Sequence, residues 1–395
     1  MVTLNPNYDR LPGSYLFSEV TRRKEAFESA HEMKAMNLGV GNTTEALPPS
    51  VISGLRLGVD KLARAETYTG YGDEQGDKRL RAAIAQSYET TGVHIDPKEV
   101  FVSDGAKCDT ANIQSIFGLE NLVAIQDPAY PVYVDTNLLS GRNISYMPCS
   151  EGNGFFPDVP EKADIIYLCS PNNPTGAVAR KNQLQRFVDF ARRNKSLIIF
   201  DAAYSSFIRD KTLPKSIYEV DGAKECAIEI NSFSKSAGFT GVRLGWSVVP
   251  LELSVEGANP GKINSMWNRR QTTFFNGASN IVQEGGLAAL SPEGQAECQQ
   301  IIDYYMINAR IIGEGLTEKG LMVHGGVNAP YLWMRTPNGM KSWDFFDKLL
   351  EEAHVVGTPG SGFGPNGEGY FRLSSFGHRE NIVQAVKSIQ ENLRL

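Results

Sequence analysis

Residues 164–201 read DIIYLCSPNNPTGAVARKNQLQRFVDFARRNKSLIIFD, and this stretch decides the fold. Asp164–Cys169 and Leu197–Asp201 carry near-continuous apolar runs, which fit strands covered on both faces rather than half-exposed ones. Between them Leu184, Phe187, Val188 and Ala191 fall at i, i+3, i+4 and i+7, one face of a helix. Strand, helix, strand in that order implies a right-handed crossover joining parallel strands. Sheets of this kind bind ligands at the carboxyl ends of their strands, in loops fed by several crossovers.

The same texture extends on both sides. Phe101–Ser103, Leu122–Gln126, Asn143–Pro148, Cys226–Ile230 and Arg243–Val249 bring the candidate strands to seven. The expected fold is α/β: a large domain with a mostly parallel seven-stranded sheet flanked by helices. After about residue 255 the pattern changes to a long helical stretch, Ser291–Glu318, mixed strands at Tyr331–Arg335 and Tyr370–Ser374, and a closing helix from Glu380. This reads as a smaller α+β domain formed by the N-terminal segment and the C-terminal region. The expected division is 1–40 packing with the small domain, 41–285 as the large domain and 286–395 as the small one.

Composition narrows the class. The 395 residues carry 45 acidic and 39 basic side chains, a net charge of −6 with no Lys/Arg block, which argues against a nucleic-acid-binding surface. No apolar run approaches the roughly 20 residues that span a bilayer. The start, MVTLNPNYDRLPG, lacks an apolar core behind a basic flank, so no secretory signal is expected. Five widely spaced cysteines with no C-x-x-C suit free thiols of a reducing compartment, and the five histidines show no metal-ligand spacing. A cytoplasmic enzyme without a metal is the expectation.

Chemistry collects at the strand ends. Ser103-Asp104-Gly105-Ala106-Lys107 opens a helical stretch, and a glycine-containing turn at a helix start presents free N–H groups to a phosphate. Taken alone it reads as an ordinary cap, and there is no G-x-G-x-x-G or G-x-x-x-x-G-K-[ST] for a dinucleotide or nucleoside triphosphate. Tyr130 follows the next strand, and Ser170–Gly176 is richer in turn formers than a connection needs. Asp201 ends a buried strand, where an unpaired carboxylate is costly. Lys235 follows another, with Arg243 eight residues on. A lysine there can form a Schiff base with an aldehyde cofactor. Pyridoxal 5'-phosphate needs that lysine, an acid at its ring nitrogen and donors for its phosphate. Lys235, Asp201, and the set of Arg243, Ser232, Ser234 and the Ala106–Lys107 turn meet those needs. Tyr130 is placed to stack on the ring, and Asn173 and Tyr204 to hydrogen-bond its 3-oxygen.

The order SDGAK, DPAYP, SPNNPTG, DAAY and SFSK-x7-R resembles the class I/II aminotransferases, fold-type I pyridoxal-phosphate-dependent enzymes. The resemblance implies that Arg372, in Gly369-Tyr370-Phe371-Arg372-Leu373, grips the substrate α-carboxylate; a guanidinium fork matches a carboxylate as an ammonium cannot. Within the class, SYLFSEVTRR, NLGVGNTTEALPP, TGYGDEQG, QDPAYPVYVDTN and TTFFNGAS resemble the LL-diaminopimelate aminotransferase family. That likeness implies substrate contacts from Tyr15, Gly41, Lys107, Tyr130, Asn173, Asn276 and Arg372, with Asn276 also near the cofactor. It implies a homodimer whose active sites are shared, Tyr71 reaching the cofactor phosphate and Glu74 the distal end of the substrate from the second subunit. Asn42 and Asp73 depart from the family pattern, which has Asp and Pro there.

The implied reaction moves the amino group of L-glutamate to tetrahydrodipicolinate, giving LL-2,6-diaminopimelate and 2-oxoglutarate, in lysine and peptidoglycan biosynthesis. Lys235, Asp201 and Tyr204 are the expected catalytic residues of a ping-pong Schiff-base mechanism. The narrow alternative is a class I aminotransferase for aspartate, alanine or aromatic amino acids. Ser232-x-x-Lys235 also matches the S-x-x-K nucleophile motif of penicillin-binding hydrolases, but Ser103-Asp104-Gly105 stands where S-D-N is needed and no K-T-G occurs. A cofactor-binding regulator on the same fold is the non-enzymatic alternative, and it lacks its added basic DNA-binding module here.

Overall fold

The computed structural model describes residues 1–13 and 15–395; Ser14, first residue of the SYLFSEVTRR segment, lies outside the described residues. The chain opens with helix α1 (Leu16–His31), which buries Leu16, Val20 and Phe27. The large sheet then follows in β1 (Val100–Ser103), β2 (Val123–Asp127), β3 (Ile144–Pro148), β4 (Ile165–Cys169), β5 (Leu197–Asp201), β6 (Ala227–Ser232) and β7 (Gly245–Val248). Helices α2 (Ala106–Asn112), α3 (Pro131–Leu139), α4 (Lys181–Asn194) and the short α5 (Phe233–Ser236) leave the carboxyl ends of β1, β2, β4 and β6.

The spatial order is β1-β7-β6-β5-β4-β2-β3. Pairing is parallel from β6 through β5, β4 and β2 to β3, and antiparallel where β7 meets β6 and β1. Every residue of β4 and β5 is buried, because helices cover both faces. The crossover helix α4 buries Leu184, Phe187, Val188, Phe190 and Ala191, one apolar stripe against the sheet. It stops at Lys195, whose backbone turns left-handed at φ 54° and bonds back to the Ala191 carbonyl. Truncating Phe187, 1% exposed at the centre of that seam, would cost about 3–5 kcal/mol.

Two strand limits differ from the sequence expectation for identifiable reasons. β6 continues to Ser232, because Asn231 and Ser232 pair with Trp246 and Gly245 of β7. β7 begins at Gly245 rather than Arg243, because Arg243 has a left-handed backbone (φ 71°) that no strand accommodates. That turn sends the Arg243 guanidinium to the Ser234 hydroxyl at 3.1 Å.

The C-terminal part comprises α6 (Pro292–Glu318), β8 (Val323–Gly325), β9 (Tyr331–Arg335), α7 (Ser342–Ala353), β10 (Thr358–Pro359), β11 (Tyr370–Ser374) and α8 (Arg379–Asn392). Ser291 caps α6 by accepting from the Gly294 N–H at 3.0 Å, with Pro292 in the first turn. The strands form an antiparallel sheet ordered β10-β11-β9-β8. The N-terminal segment joins this unit: Met36–Asn37 pairs in parallel with Val355–Val356, and the buried face of α1 packs into the core of α6, α7 and α8. Among the described residues no helix is long and apolar enough to cross a membrane.

Candidate active site

The carboxyl ends of β1, β2, β4, β5 and β6 converge on one cavity of about 570 Å³, closed on the far side by α1, the 37–42 segment, β9 and β11. Of the residues singled out above, Gly41, Ala106, Lys107, Tyr130, Asn173, Asp201, Tyr204, Ser232, Ser234, Lys235, Arg243 and Arg372 line it. The strand ends of the large sheet bring the residues from Ala106 to Arg243 to one rim, while Gly41 and Arg372, 331 residues apart in sequence, come from the elements that close the far side.

One end is built for an anion. Gly105, at φ 133°, sits at the start of α2, and the first bonds within that helix come from the Cys108 and Asp109 N–H groups to the Gly105 carbonyl. The preceding N–H groups of Ala106 and Lys107 thus face outward at the positive end of the helix. The space beside Gly105 is taken by Arg243: a Cβ there would collide with Nη2. Ser232 and Ser234 stand in the same turn, Ser232 Oγ accepting from the Ser234 N–H at 3.0 Å. Backbone donors, two hydroxyls and a guanidinium are the donor set that a phosphate monoester requires.

At the opposite end, Asp201 is 7% exposed, and its two oxygens accept from the Tyr133 hydroxyl at 2.5 Å and the Ala203 N–H at 2.9 Å. Burial raises its pKa, and the Tyr133 hydrogen bond opposes that rise by favouring the carboxylate. Lys235 lines the same cavity, its Nζ donating to the Gly41 carbonyl. Burial, with the Arg372 and Arg243 charges nearby, pushes its pKa down to about 7, so a neutral amine is accessible near neutral pH. The separation of an anion cradle, an amine and an acid along one cavity fits pyridoxal phosphate, with its phosphate, aldehyde carbon and ring nitrogen in that order.

Arg372 is the third feature. It is 1% exposed, donating from Nη1 to Asn173 Oδ1 at 2.7 Å and from Nη2 to the Gly39 carbonyl at 2.6 Å. Its guanidinium faces the rings of Tyr331, Phe363 and Phe17 at 4.5, 4.9 and 5.4 Å, and Nε is buried without a partner. Those partners are neutral, so a buried cation in this cavity is an anion site, and a planar fork suits a carboxylate. On the rim, the Lys107 ammonium lies 3.4 Å from the Tyr15 hydroxyl and over the rings of Tyr15 and Tyr130.

Four singled-out residues are absent from the cavity lining: Tyr15, which stands beside Lys107 at the rim, and Tyr71, Glu74 and Asn276. Tyr71 is 87% exposed, and Glu74 and Asn276 sit on the same surface. Asn276 was expected among the substrate contacts; its neighbour Gly277 is packed against the backbone of Asp73 and Glu74. Asn280 fastens the two loops by donating to Thr69 Oγ1 at 2.7 Å and to the Gly70 carbonyl at 3.0 Å.

Tyr133 and Tyr331 are among the cavity residues that escaped the sequence reading. Tyr133 follows Tyr130 by three positions on α3, so helical spacing puts both rings on one face, a signal that was available. Tyr331 lies at the start of β9, where a sequence shows only strand alternation.

The chain belongs to the class I and II aminotransferases, the family whose sequence model matches residues 33–389. It is a pyridoxal-phosphate-dependent transferase. Among solved structures it is similar to an LL-diaminopimelate aminotransferase from Chlamydomonas reinhardtii, at 48% identity over 99% of this chain and 98% of that one, with a TM-score of 0.93. It is also similar to an aromatic aminotransferase from Pyrococcus horikoshii, at 28% identity over 94% and 97% of the two chains and a TM-score of 0.81. An aspartate aminotransferase from Thermotoga maritima shares the fold at 24% identity, over 98% and 99% of the chains, with a TM-score of 0.85.

Proposed function

We propose that the protein transfers the amino group of L-glutamate to tetrahydrodipicolinate, giving LL-2,6-diaminopimelate and 2-oxoglutarate, and does so in the cytoplasm as a step toward lysine and the peptidoglycan cross-link. The observation that carries the reading is the pair of cationic groups in one cavity, Arg372 at its wall and Lys107 with Tyr15 at its rim. Two such groups suit a substrate with a carboxylate at each end. The likeness to the algal LL-diaminopimelate aminotransferase supports the same choice.

Pyridoxal phosphate bound here supplies an aldehyde that condenses with amines and a ring that withdraws electrons from the substrate Cα. The chain's residues do the rest. Ala106, Lys107, Ser232, Ser234 and Arg243 would hold the phosphate, Asp201 would keep the ring nitrogen protonated and Tyr130 would cover the ring, while Asn173 and Tyr204 would donate to its 3-oxygen. Arg372 fixes the substrate α-carboxylate, which aims the Cα–H at Lys235, and Nζ of Lys235 takes that proton in its neutral form. Gly41 shapes the floor beside the amine.

The molecule acts as a homodimer in this proposal. Tyr68, Tyr71 and Phe274 leave 64%, 87% and 74% of their surfaces exposed around Glu74 and Asn276, a patch that suits a second copy. The partner copy then offers Tyr71 to the cofactor phosphate and Glu74 and Asn276 to the distal end of the substrate. Steady-state rates with 2-oxoglutarate as acceptor test the assignment: LL-diaminopimelate should outpace aspartate, alanine and phenylalanine by orders of magnitude. A preference for aspartate, alanine or an aromatic donor would move the protein to another branch of the family.

A further inference from the structure

Tyr204 and Tyr331 share a hydrogen bond whose direction the site determines. Their hydroxyl oxygens lie 2.7 Å apart, their rings meet edge to face at 5.1 Å, and both side chains are buried, at 7% and 1% exposure. Tyr204 comes from the turn after β5 in the large sheet, Tyr331 from β9 in the small one. Each phenol has a single proton to give. If Tyr204 spends its proton on the cofactor 3-oxygen, the proton between the two tyrosines must come from Tyr331. The Tyr331 hydroxyl also borders Gly41, where a Cβ would approach it to 2.5 Å, and the Gly41 carbonyl accepts from Lys235.

The Tyr331 ring makes a further contact. The Arg372 guanidinium carbon stands 4.5 Å from the ring centroid. A cation against the ring makes the phenol a stronger donor, and a phenol that accepts a strong hydrogen bond itself donates more strongly.

We propose that Tyr331 is a positioning residue of the transamination site: its hydroxyl donates to Tyr204 and so commits the Tyr204 proton to the 3-oxygen of the cofactor. This rests on the assignment of pyridoxal phosphate to the cavity. The consequence is a lower proton affinity at the nitrogen joining Lys235 to the cofactor, because negative charge on the 3-oxygen is better stabilised. The charged and titratable neighbours of Tyr331 are Arg372, Tyr204, Asp201, Cys169 and Tyr130, and those of Lys235 are Arg372 and Arg243. None of them offers the Tyr204 oxygen a competing proton in the hydrogen bonds of this site.

The test is the pH midpoint of the visible absorption band of the purified holoenzyme, read without substrate. Tyr331→Phe keeps the ring and removes one oxygen; it should raise the midpoint by roughly half a unit, the worth of part of one hydrogen bond. Tyr204→Phe should raise it more, and the double variant should lie with Tyr204→Phe alone, since Tyr331 acts through Tyr204. Incorporating 3-fluorotyrosine at position 331, a more acidic phenol, should lower the midpoint, which gives a second readout should the phenylalanine variant fold poorly. An unmoved midpoint in Tyr331→Phe, or an equal shift in the Tyr204→Phe background, would overturn the proposal. A wild-type protein that forms no visible band with added pyridoxal phosphate would instead refute the cofactor assignment, and this inference with it.

Discussion

Arg372 Nη1 donates to Asn173 Oδ1 at 2.7 Å, a single hydrogen bond that ties β11 of the small sheet to the SPNNPTG loop of the large one. In the proposed site that bond leaves Asn173 Nδ2 to the cofactor 3-oxygen while Arg372 takes the substrate carboxylate, so substrate grip and cofactor orientation would share this contact.

Arg372→Lys removes the fork while keeping the charge. We expect kcat/KM for every amino-acid donor to fall by about a hundredfold, the equivalent of roughly 3 kcal/mol, with cofactor affinity little changed. Steady-state kinetics and a cofactor titration check both halves.

The buried amine of Lys235 costs the apoprotein stability in a defined pH window. Its pKa falls from 10.5 in the open chain to about 7 in the fold, so between those values the unfolded state binds more protons and stability rises with pH. The penalty is complete below pH 7 and vanishes above about 10.5. Lys235→Met should stabilise the cofactor-free protein near pH 7 by ~3–5 kcal/mol, a gain that shrinks as pH approaches 10. Urea denaturation at several pH values measures it. The same variant should lose at least about a thousandfold in turnover, since both the anchor and the base are gone.

Tyr133→Phe leaves the Asp201 carboxylate with only the Ala203 N–H. Its pKa should rise further, because burial is then less opposed. Cofactor affinity and kcat should each drop by about tenfold, corresponding to one charge-assisted hydrogen bond. The cofactor dissociation constant followed against pH distinguishes this from a loss of packing, which would have no pH dependence.

Glu74→Ala should depress the use of LL-diaminopimelate far more than that of glutamate, because a site built for a polar partner rejects molecules that leave its groups unpaired. Subunit sharing gives a sharper readout. Unfolding and refolding an equimolar mixture of Glu74→Ala and Lys235→Ala chains should regain about a quarter of wild-type activity, since half the dimers are hybrid and each hybrid holds one intact site. No recovery would place Glu74 in its own chain's site, and about half of wild-type activity, present before mixing in the Glu74→Ala protein itself, would place it outside any.

Much of this architecture was legible in the chain. The Asp164–Cys169 and Leu197–Asp201 strands and the Leu184–Ala191 stripe were readable because burial on both faces leaves continuous apolar runs, and helix packing leaves a 3.6-residue period. Lys235, Asp201 and Arg243 could be grouped because a parallel sheet sends every strand end to one rim. Sequence order could not show that Arg243 turns out of its strand, since a left-handed arginine has no compositional signature. Nor could it show that Gly277 lies against Asp73 and Glu74, a contact across about 200 residues with no periodicity to announce it. Tyr331 reads as one more strand aromatic until the opposing Tyr204 is in place.

The most direct measurement is the visible absorbance of the purified holoenzyme after mixing, separately, with LL-diaminopimelate, meso-diaminopimelate, glutamate and aspartate. The account predicts rapid loss of the band with the LL isomer and with glutamate, and little change with the meso isomer or aspartate. Bleaching by glutamate and aspartate but not by LL-diaminopimelate would contradict it.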